Sequence, residues 1–133
     1  MKVVRGFDKA KVEDIAKNCG ADSVEKSVSY ISAPFISGNK GFICELFDDV
    51  GFFAGTMCKK HFRLYEIAVK EEAHGNGYGK AMILRISQLC RKSGVEKITL
   101  RTSKKESAID FYRRIGGIIV GEKKGDYEVE IKV

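Results

Sequence analysis

Apolar residues recur along this chain at two spacings, and the changes from one spacing to the other mark its elements. Val3 and Val4 read as a short first strand, after which Asp8 stands as a helix N-cap with Phe7 and Val12 placed to form a hydrophobic staple. Val12, Ile15, Ala16 and Cys19 then repeat at helical spacing, and Gly20 supplies a C-terminal stop. In residues 21–40, Val24, Val28 and Ile31 lie four and three apart, followed by the only proline, Pro34, and the polar run Ser37, Gly38, Asn39 and Lys40. The expectation there is a short helix followed by a loop.

From Gly41 the pattern is strand-like. Phe42–Phe47 and Phe52–Cys58 flank a loop at Asp48, Asp49, Val50 and Gly51, and Phe62–Val69 follows closely. Connections this short make the three strands antiparallel neighbours, because a parallel partner needs a long crossover. Glycines 75, 77 and 79 open a helix whose Met82, Ile83, Ile86, Leu89 and Cys90 share a face, and Gly94 ends it. Val95–Arg101 is a strand again, so Phe62–Val69, the helix and this strand form a central βαβ unit. A helix over Ala108–Ile115 follows two overlapping cap signals, Ser103 with Glu106 and Ser107 with Asp110, and stops at Gly116 and Gly117. Ile118–Glu122 and Tyr127–Val133 close the chain as a hairpin. With no repeat or linker, residues 1–133 read as one α/β (α+β) domain.

Composition narrows the function. No apolar run approaches the roughly 20 residues that span a bilayer. Met1–Lys11 mixes Lys2, Arg5, Asp8, Lys9 and Lys11 among few apolar residues, unlike a signal peptide, so a cytoplasmic protein without membrane contact is expected. Cys19, Cys44, Cys58 and Cys90, with His61 and His74, form neither CxxC nor a zinc-ligand spacing, so reduced, mostly buried thiols and no metal are expected. A net charge of +6 suits an anionic partner. The basic residues are scattered among acids such as Asp48, Asp49, Glu71 and Glu72, with no interleaved stacking aromatics, so nucleic acid is not the expected one.

Most information lies in Val69-Lys70-Glu71-Glu72-Ala73-His74-Gly75-Asn76-Gly77-Tyr78-Gly79-Lys80, between a strand and a helix. Glycines allow positive φ and close backbone approach, and a helix N-terminus presents unpaired N–H groups at the positive end of its dipole. That is a site for a pyrophosphate, to which Lys80 adds charge; a loop that merely turns the chain uses the same residues. A P-loop is excluded, since Gly79-Lys80 is followed by Ala81 and His74 stands at its first glycine position. The spacing of Gly75, Gly77 and Gly79 is also not GxGxxG.

The run His74-Gly75-Asn76-Gly77-Tyr78-Gly79 resembles the acetyl-CoA motif of the GNAT acetyltransferases. Ser107-Ala108-Ile109-Asp110-Phe111-Tyr112-Arg113-Arg114-Ile115-Gly116-Gly117 resembles that family's later AIxFYxxxGF segment, and Tyr65-Glu66-Ile67-Ala68-Val69 looks like the strand leading into the glycine motif. The resemblance spans nearly the whole chain, with residues 21–40 unmatched. It implies a GNAT-like fold, a mixed, mostly antiparallel sheet of about six or seven strands flanked by about four helices. It implies acetyl-CoA as co-substrate, with His74, Gly75, Asn76, Gly77, Tyr78, Gly79 and Lys80 around its pyrophosphate. Backbone groups of Ile67, Ala68 and Val69 would hold its pantetheine arm, on a strand edge left open where it splays from its neighbour. Three positions depart from the pattern: His74 replaces Gln or Arg, Lys105 replaces an asparagine that contacts the cofactor, and Gly117 replaces Phe or Tyr. Lys104 and Lys105 either solvate the helix start or reach the 3′-phosphate of CoA.

The implied activity is N-acetyl transfer to a primary amine by direct attack in a ternary complex. Tyr112 matches the position whose hydroxyl protonates the departing sulfur; packing beside Phe111 and Ile115 is the other reading. A tyrosine of pKa near 10 facing a thiolate near 8.5 gives up its proton about 1.5 units uphill, roughly 2 kcal/mol. Glu66, by alternation on one face with Leu64 and Ala68 while Tyr65, Ile67 and Val69 take the other, is either the base that accepts the amine proton or an acid satisfied by a neighbour. A lysine-like amine costs about 4.6 kcal/mol to neutralise at pH 7, an α-amine about 1.4. His61, beside Lys59 and Lys60, is a loop residue without a role. The alternative function is a non-catalytic CoA sensor or interaction module. The acceptor is not legible, and an exposed final strand would allow a homodimer.

Overall fold

The computed structural model describes residues 1–21 and 23–133, with Ser23 and Phe35 described through their backbone alone. Position 22, in the stretch expected to hold a short helix, lies outside the described residues. β1 (Val3–Arg5) leads to α1 (Lys9–Lys17), where Asp8 is the N-cap and its carboxylate accepts from the Lys11 amide at 3.2 Å. α1 ends at Asn18, before Gly20, whose φ of 84° turns the chain away. Residues 21–40 hold two helices rather than one: α2 (Ser23–Ile31) and the short α3 (Pro34–Ser37). Pro34 starts α3, at the position where its missing N–H and fixed φ cost nothing.

β2 (Phe42–Phe47) and β3 (Gly51–Met57) form the expected hairpin. Asp48 and Asp49 both take positive φ, 50° and 56°, the primed-turn geometry that matches strand twist. β4 (Phe62–Val69) pairs antiparallel with β3, and after a short 3-10 turn α4 (Tyr78–Lys92) crosses to β5 (Lys97–Thr102), parallel to β4. α5 (Glu106–Arg114) precedes the hairpin of β6 (Gly117–Lys123) and β7 (Asp126–Lys132). Neither predicted cap box caps α5. Lys105 sits at the N-cap in extended geometry without a side-chain bond, which places Ser107 inside the first turn.

Among the described residues the seven strands run in the order β1-β2-β3-β4-β5-β7-β6. β7 lies between β5 and β6, so the final strand is not the open edge anticipated for subunit pairing; β6 is. Each face of the sheet has its own core. α1, α2 and α3 cover one face with Val12, Ile15, Val28 and Ile31 against Cys44, Leu46, Phe52 and Ala54. α4 covers the other with Met82, Ile83, Ile86 and Cys90 against Phe53, Phe62, Leu64, Ile98 and Leu100. Phe52, Phe53 and Phe62 are fully buried, each a gain of about 1.5–3 kcal/mol. Cys19, Cys44 and Cys90 are buried free thiols, and Cys58 is half-buried. No helix among the described residues is long and apolar enough to cross a membrane.

Candidate active site

The parallel pairing of β4 and β5 stops after Phe62↔Ile98 and Arg63↔Thr99. At that point the register of β4 on β3 jumps from Gly55↔Leu64 to Ala54↔Glu66, leaving Tyr65 as an extra residue. Such a bulge bends its strand. Beyond it β4 stays with β3 and parts from β5, so the edge through Ile67, Ala68 and Val69 faces an opening in the sheet.

The bulge also corrects the expected facing of β4. Leu64 packs with Phe62, Ile67 and Val69 on the α4 face, whereas Tyr65 and Ala68 pack toward α1 and α2. Glu66, opposite Ala54, keeps company with Ala68 but not with Leu64. Its Oε1 accepts from the Ile67 amide at 3.0 Å. Burial pushes the Glu66 carboxyl up from the ordinary carboxylate value, against hydrogen bonds from Ser27 and the Ile67 amide. Ser27 on α2 was not found from sequence, because it lies in the stretch without a motif and meets Glu66 only through tertiary packing. Tyr30 and Tyr65 add an edge-on ring pair nearby, their centroids 5.9 Å apart.

At the mouth of the opening, Gly75 and Gly77 take φ of 80° and 81°, and Gly77 is the N-cap of α4. The left-handed backbone at both positions aims the loop at the helix start, and a side chain there would strain it. Gly79 serves a different purpose: a Cβ there would stand 2.8 Å from the Phe111 ring, so its absence lets α5 approach α4. The Tyr78 hydroxyl donates to Asp48 at 2.7 Å and ties the helix start to the β2–β3 turn. Asn76 closes the loop, its amide donating to the Ala73 carbonyl at 3.0 Å. His74 turns back to the strand, with Nε2 2.8 Å from the Val69 carbonyl. Lys80 and Lys105 are exposed, while Lys104 is committed to Glu122 at 2.9 Å and to the face of Tyr127.

Tyr112, on α5, is half-buried against the α4-side core, edge-on to Phe111 at 5.1 Å. Burial, and then the negative charge of Glu66, hold its hydroxyl well above the usual tyrosine value. Glu66, 46 positions away in sequence, is thereby an electrostatic neighbour of Tyr112.

Other charged groups flank this arrangement. Thr99 and Arg101 alternate with the buried Ile98 and Leu100, so they face away from α4. There Arg63 makes a two-pronged contact with Glu128 (3.0 and 3.2 Å) and donates to Thr99 at 3.3 Å, and Arg101 Nε lies 3.6 Å from Glu128. On the α4 face, Glu45 is 1% exposed and accepts from Arg85 at 2.8 and 3.0 Å and from Arg5 at 2.9 Å. Burial alone would raise the Glu45 carboxyl, but the two guanidinium groups outweigh it and hold it below the ordinary value. A shallow groove of about 330 Å³ between α1 and α2, lined by Lys9, Glu13, Lys17 and Glu25, lies apart from the opening. Among the described residues no group of three His, Cys, Asp or Glu is placed to hold a metal ion.

A mixed sheet parted between two parallel strands, with a glycine-led helix start at the mouth of the gap, is the architecture of the acyl-transferring GNAT fold. The acetyltransferase (GNAT) family model matches residues 10–117, and the chain belongs to that family. No curated protein matches the sequence. Among solved structures the fold is similar to PaiA N-acetyltransferase from Thermoplasma acidophilum in complex with coenzyme A, with a TM-score of 0.75, 15% identity and full coverage of both chains. It is also similar to Ard1 from Thermoplasma volcanium, with a TM-score of 0.73 and 19% identity over 100% of this chain and 99% of that one. An aminoglycoside 6′-N-acetyltransferase complexed with coenzyme A gives 0.72 and 18% over 99% and 97%.

Proposed function

We propose that the chain is a single-domain N-acetyltransferase that binds acetyl-CoA in the opening between β4 and β5 and passes the acetyl group directly to a primary amine. The observation that carries this reading is the parting of β4 from β5 next to a glycine-led helix N-terminus, with Glu66 on the parted strand and Tyr112 on α5 close enough to feel its charge. Two structural neighbours were crystallised with coenzyme A, which supports the cofactor assignment. The pyrophosphate would lie on the amides of residues 75–80, attracted by the helix dipole. Lys80 lends charge there, and His74 acts by bracing the strand end. The pantetheine arm would add to the open edge of β4 through Ile67, Ala68 and Val69, as a strand would. Lys105, exposed at the start of α5, is the cation left to meet the 3′-phosphate, since Lys104 is paired with Glu122.

In the reaction the amine nitrogen attacks the thioester carbon, an N–H of β4 polarises the carbonyl, and the C–S bond breaks with its electron pair on sulfur. Glu66 accepts the amine proton, and its raised proton affinity suits the task. Tyr112 supplies the proton to the thiolate. Burial makes its hydroxyl a poor acid and the charge on Glu66 adds to this, so protonation of Glu66 removes the smaller of the two obstacles to releasing the proton. Deprotonation of the amine and protonation of the leaving group thus favour each other.

Calorimetric titration of acetyl-CoA tests the reading, with dephospho-CoA and ATP as controls. Saturable acetyl-CoA binding, followed by thiol release with an amine acceptor, is the expected result. Absence of binding at millimolar cofactor would remove the proposal, whereas binding without turnover on any amine would favour a CoA sensor on the same fold.

A further inference from the structure

Resting on that reading of the opening, we infer that the acceptor is a compact amine that also carries a carboxylate, its amine directed to Glu66 and its carboxylate to Arg63 and Arg101. α1 and α2 pack over β3 and β4, so the same face of β5 and β7 lies beside the opening. By strand alternation that face presents Arg63, Lys97, Arg101 and Lys132 against Asp126, Glu128 and Glu130, an excess of one positive charge. Glu66 is the acid at the inner end of this surface. The positive charge around Arg63 and Arg101 faces the acid Glu66 at the other end, so an acceptor with one charge of each sign is oriented by the surface.

Arg63 is committed to Glu128 and Thr99, and Arg101 shares Glu128 with it at a longer distance. The Arg101 Nε stands 3.6 Å from Glu128, an ion pair that adds to Arg63 in holding the Glu128 carboxyl below its ordinary value, so two guanidinium groups share one carboxylate. The remaining guanidinium nitrogens keep the planar fork that fits a carboxylate through two bonds. Arg63 and Glu66 are three positions apart on β4, about 10 Å at most because the bulge at Tyr65 lies between them. An acceptor whose amine and carboxylate are only a few bonds apart fits that interval. The carboxylate takes no part in the bond changes; it fixes where the nitrogen lies.

The test measures thiol release from acetyl-CoA with glycine, β-alanine and the common L-amino acids, each against its carboxamide, and with spermidine. A carboxamide amine is less basic and easier to neutralise, so intrinsic reactivity favours it. The inference expects the carboxylate form to be used at least about tenfold better in kcat/KM, the loss expected when a charge-assisted hydrogen bond is missing. In Arg101→Met that preference falls by a similar factor, through KM more than kcat, with acetyl-CoA affinity unchanged; Arg101→Lys recovers part of it. A preference for carboxamides or spermidine, a ratio unaltered in Arg101→Met, or acetyl-CoA binding with none of the carboxylated amines used would each overturn the inference and leave the acetyltransferase reading standing. Failure to bind acetyl-CoA would overturn both.

Discussion

Glu45 on β2 and Glu66 on β4 are both carboxylates held within the sheet, one toward α4 and the other toward α1 and α2, and their surroundings drive them in opposite directions. Glu45 receives two guanidinium groups, which more than repay its burial and keep it charged. Glu66 receives a hydroxyl and an amide, which do not, so its neutral form gains. Burial is common to both; the type of donor decides the outcome. The first acid fastens α4 to β1 and β2, and the second holds a proton more readily than a carboxylate in water. Whether an interior carboxylate stays charged is decided here by whether its donors carry charge.

The largest expected effect comes from removing what Glu66 has and Glu45 lacks, a proton-bearing hydroxyl within reach of its charge. Tyr112→Phe should lower kcat roughly a thousandfold while leaving acetyl-CoA affinity within about twofold, as loss of a general acid does. Single-turnover kinetics beside calorimetry separates the two, and unchanged turnover would return Tyr112 to a packing role. Next, Glu45→Ala leaves Arg5 and Arg85 facing an emptied site. Breaking a buried pair costs about 3–5 kcal/mol, and the partial exposure of both arginines puts this case near 3, or roughly 10 °C in thermal midpoint. Because the folded Glu45 is depressed, its contribution is present above the ordinary carboxylate pKa of about 4.3 and lost as pH falls through the lower folded value. The gap between variant and wild type should accordingly close in acid.

Glu66→Gln gives the smallest and most diagnostic change. Turnover at neutral pH should fall about tenfold for amines of high pKa, and less for amines near 8. Because the folded Glu66 is raised, its contribution to stability is present below about 4.3 and lost as pH rises through the raised folded value. At pH 8 the neutral glutamine should therefore be at least as stable as the wild type. Denaturant melts at pH 5 and pH 8 check the sign, and a Gln variant that loses stability at pH 8 would make Glu66 a second fastening.

Local patterns carried most of the fold and part of the site. The hairpin at Asp48 and Asp49, the Asp8 cap and the glycine-led start of α4 rest on neighbours in sequence, and the structure has each of them. Lys105 shows the limit of such reasoning: Ser103 and Ser107 had the chemistry of caps, but backbone geometry chose a residue between them that has none. α3 was hidden because four residues are too few to establish a period. The place of β7 between β5 and β6 depends on pairing across about 30 positions, which alternation within a strand cannot reveal. The Glu45 cluster was illegible for the same reason, its arginines lying 40 residues away on either side. Ser27 and Arg101 likewise acquire meaning only from what packs beside them.

Tyr65 gives β4 one residue more than its partner needs. If that residue were deleted, Arg63, Leu64, Glu66, Ile67 and Ala68 would alternate in regular order, each toward the face it occupies now. The register of β4 on β3 would run unbroken, and the alternation of faces along β4 would not show the loss. The bend in β4 is thus encoded as a count rather than as a kind of residue.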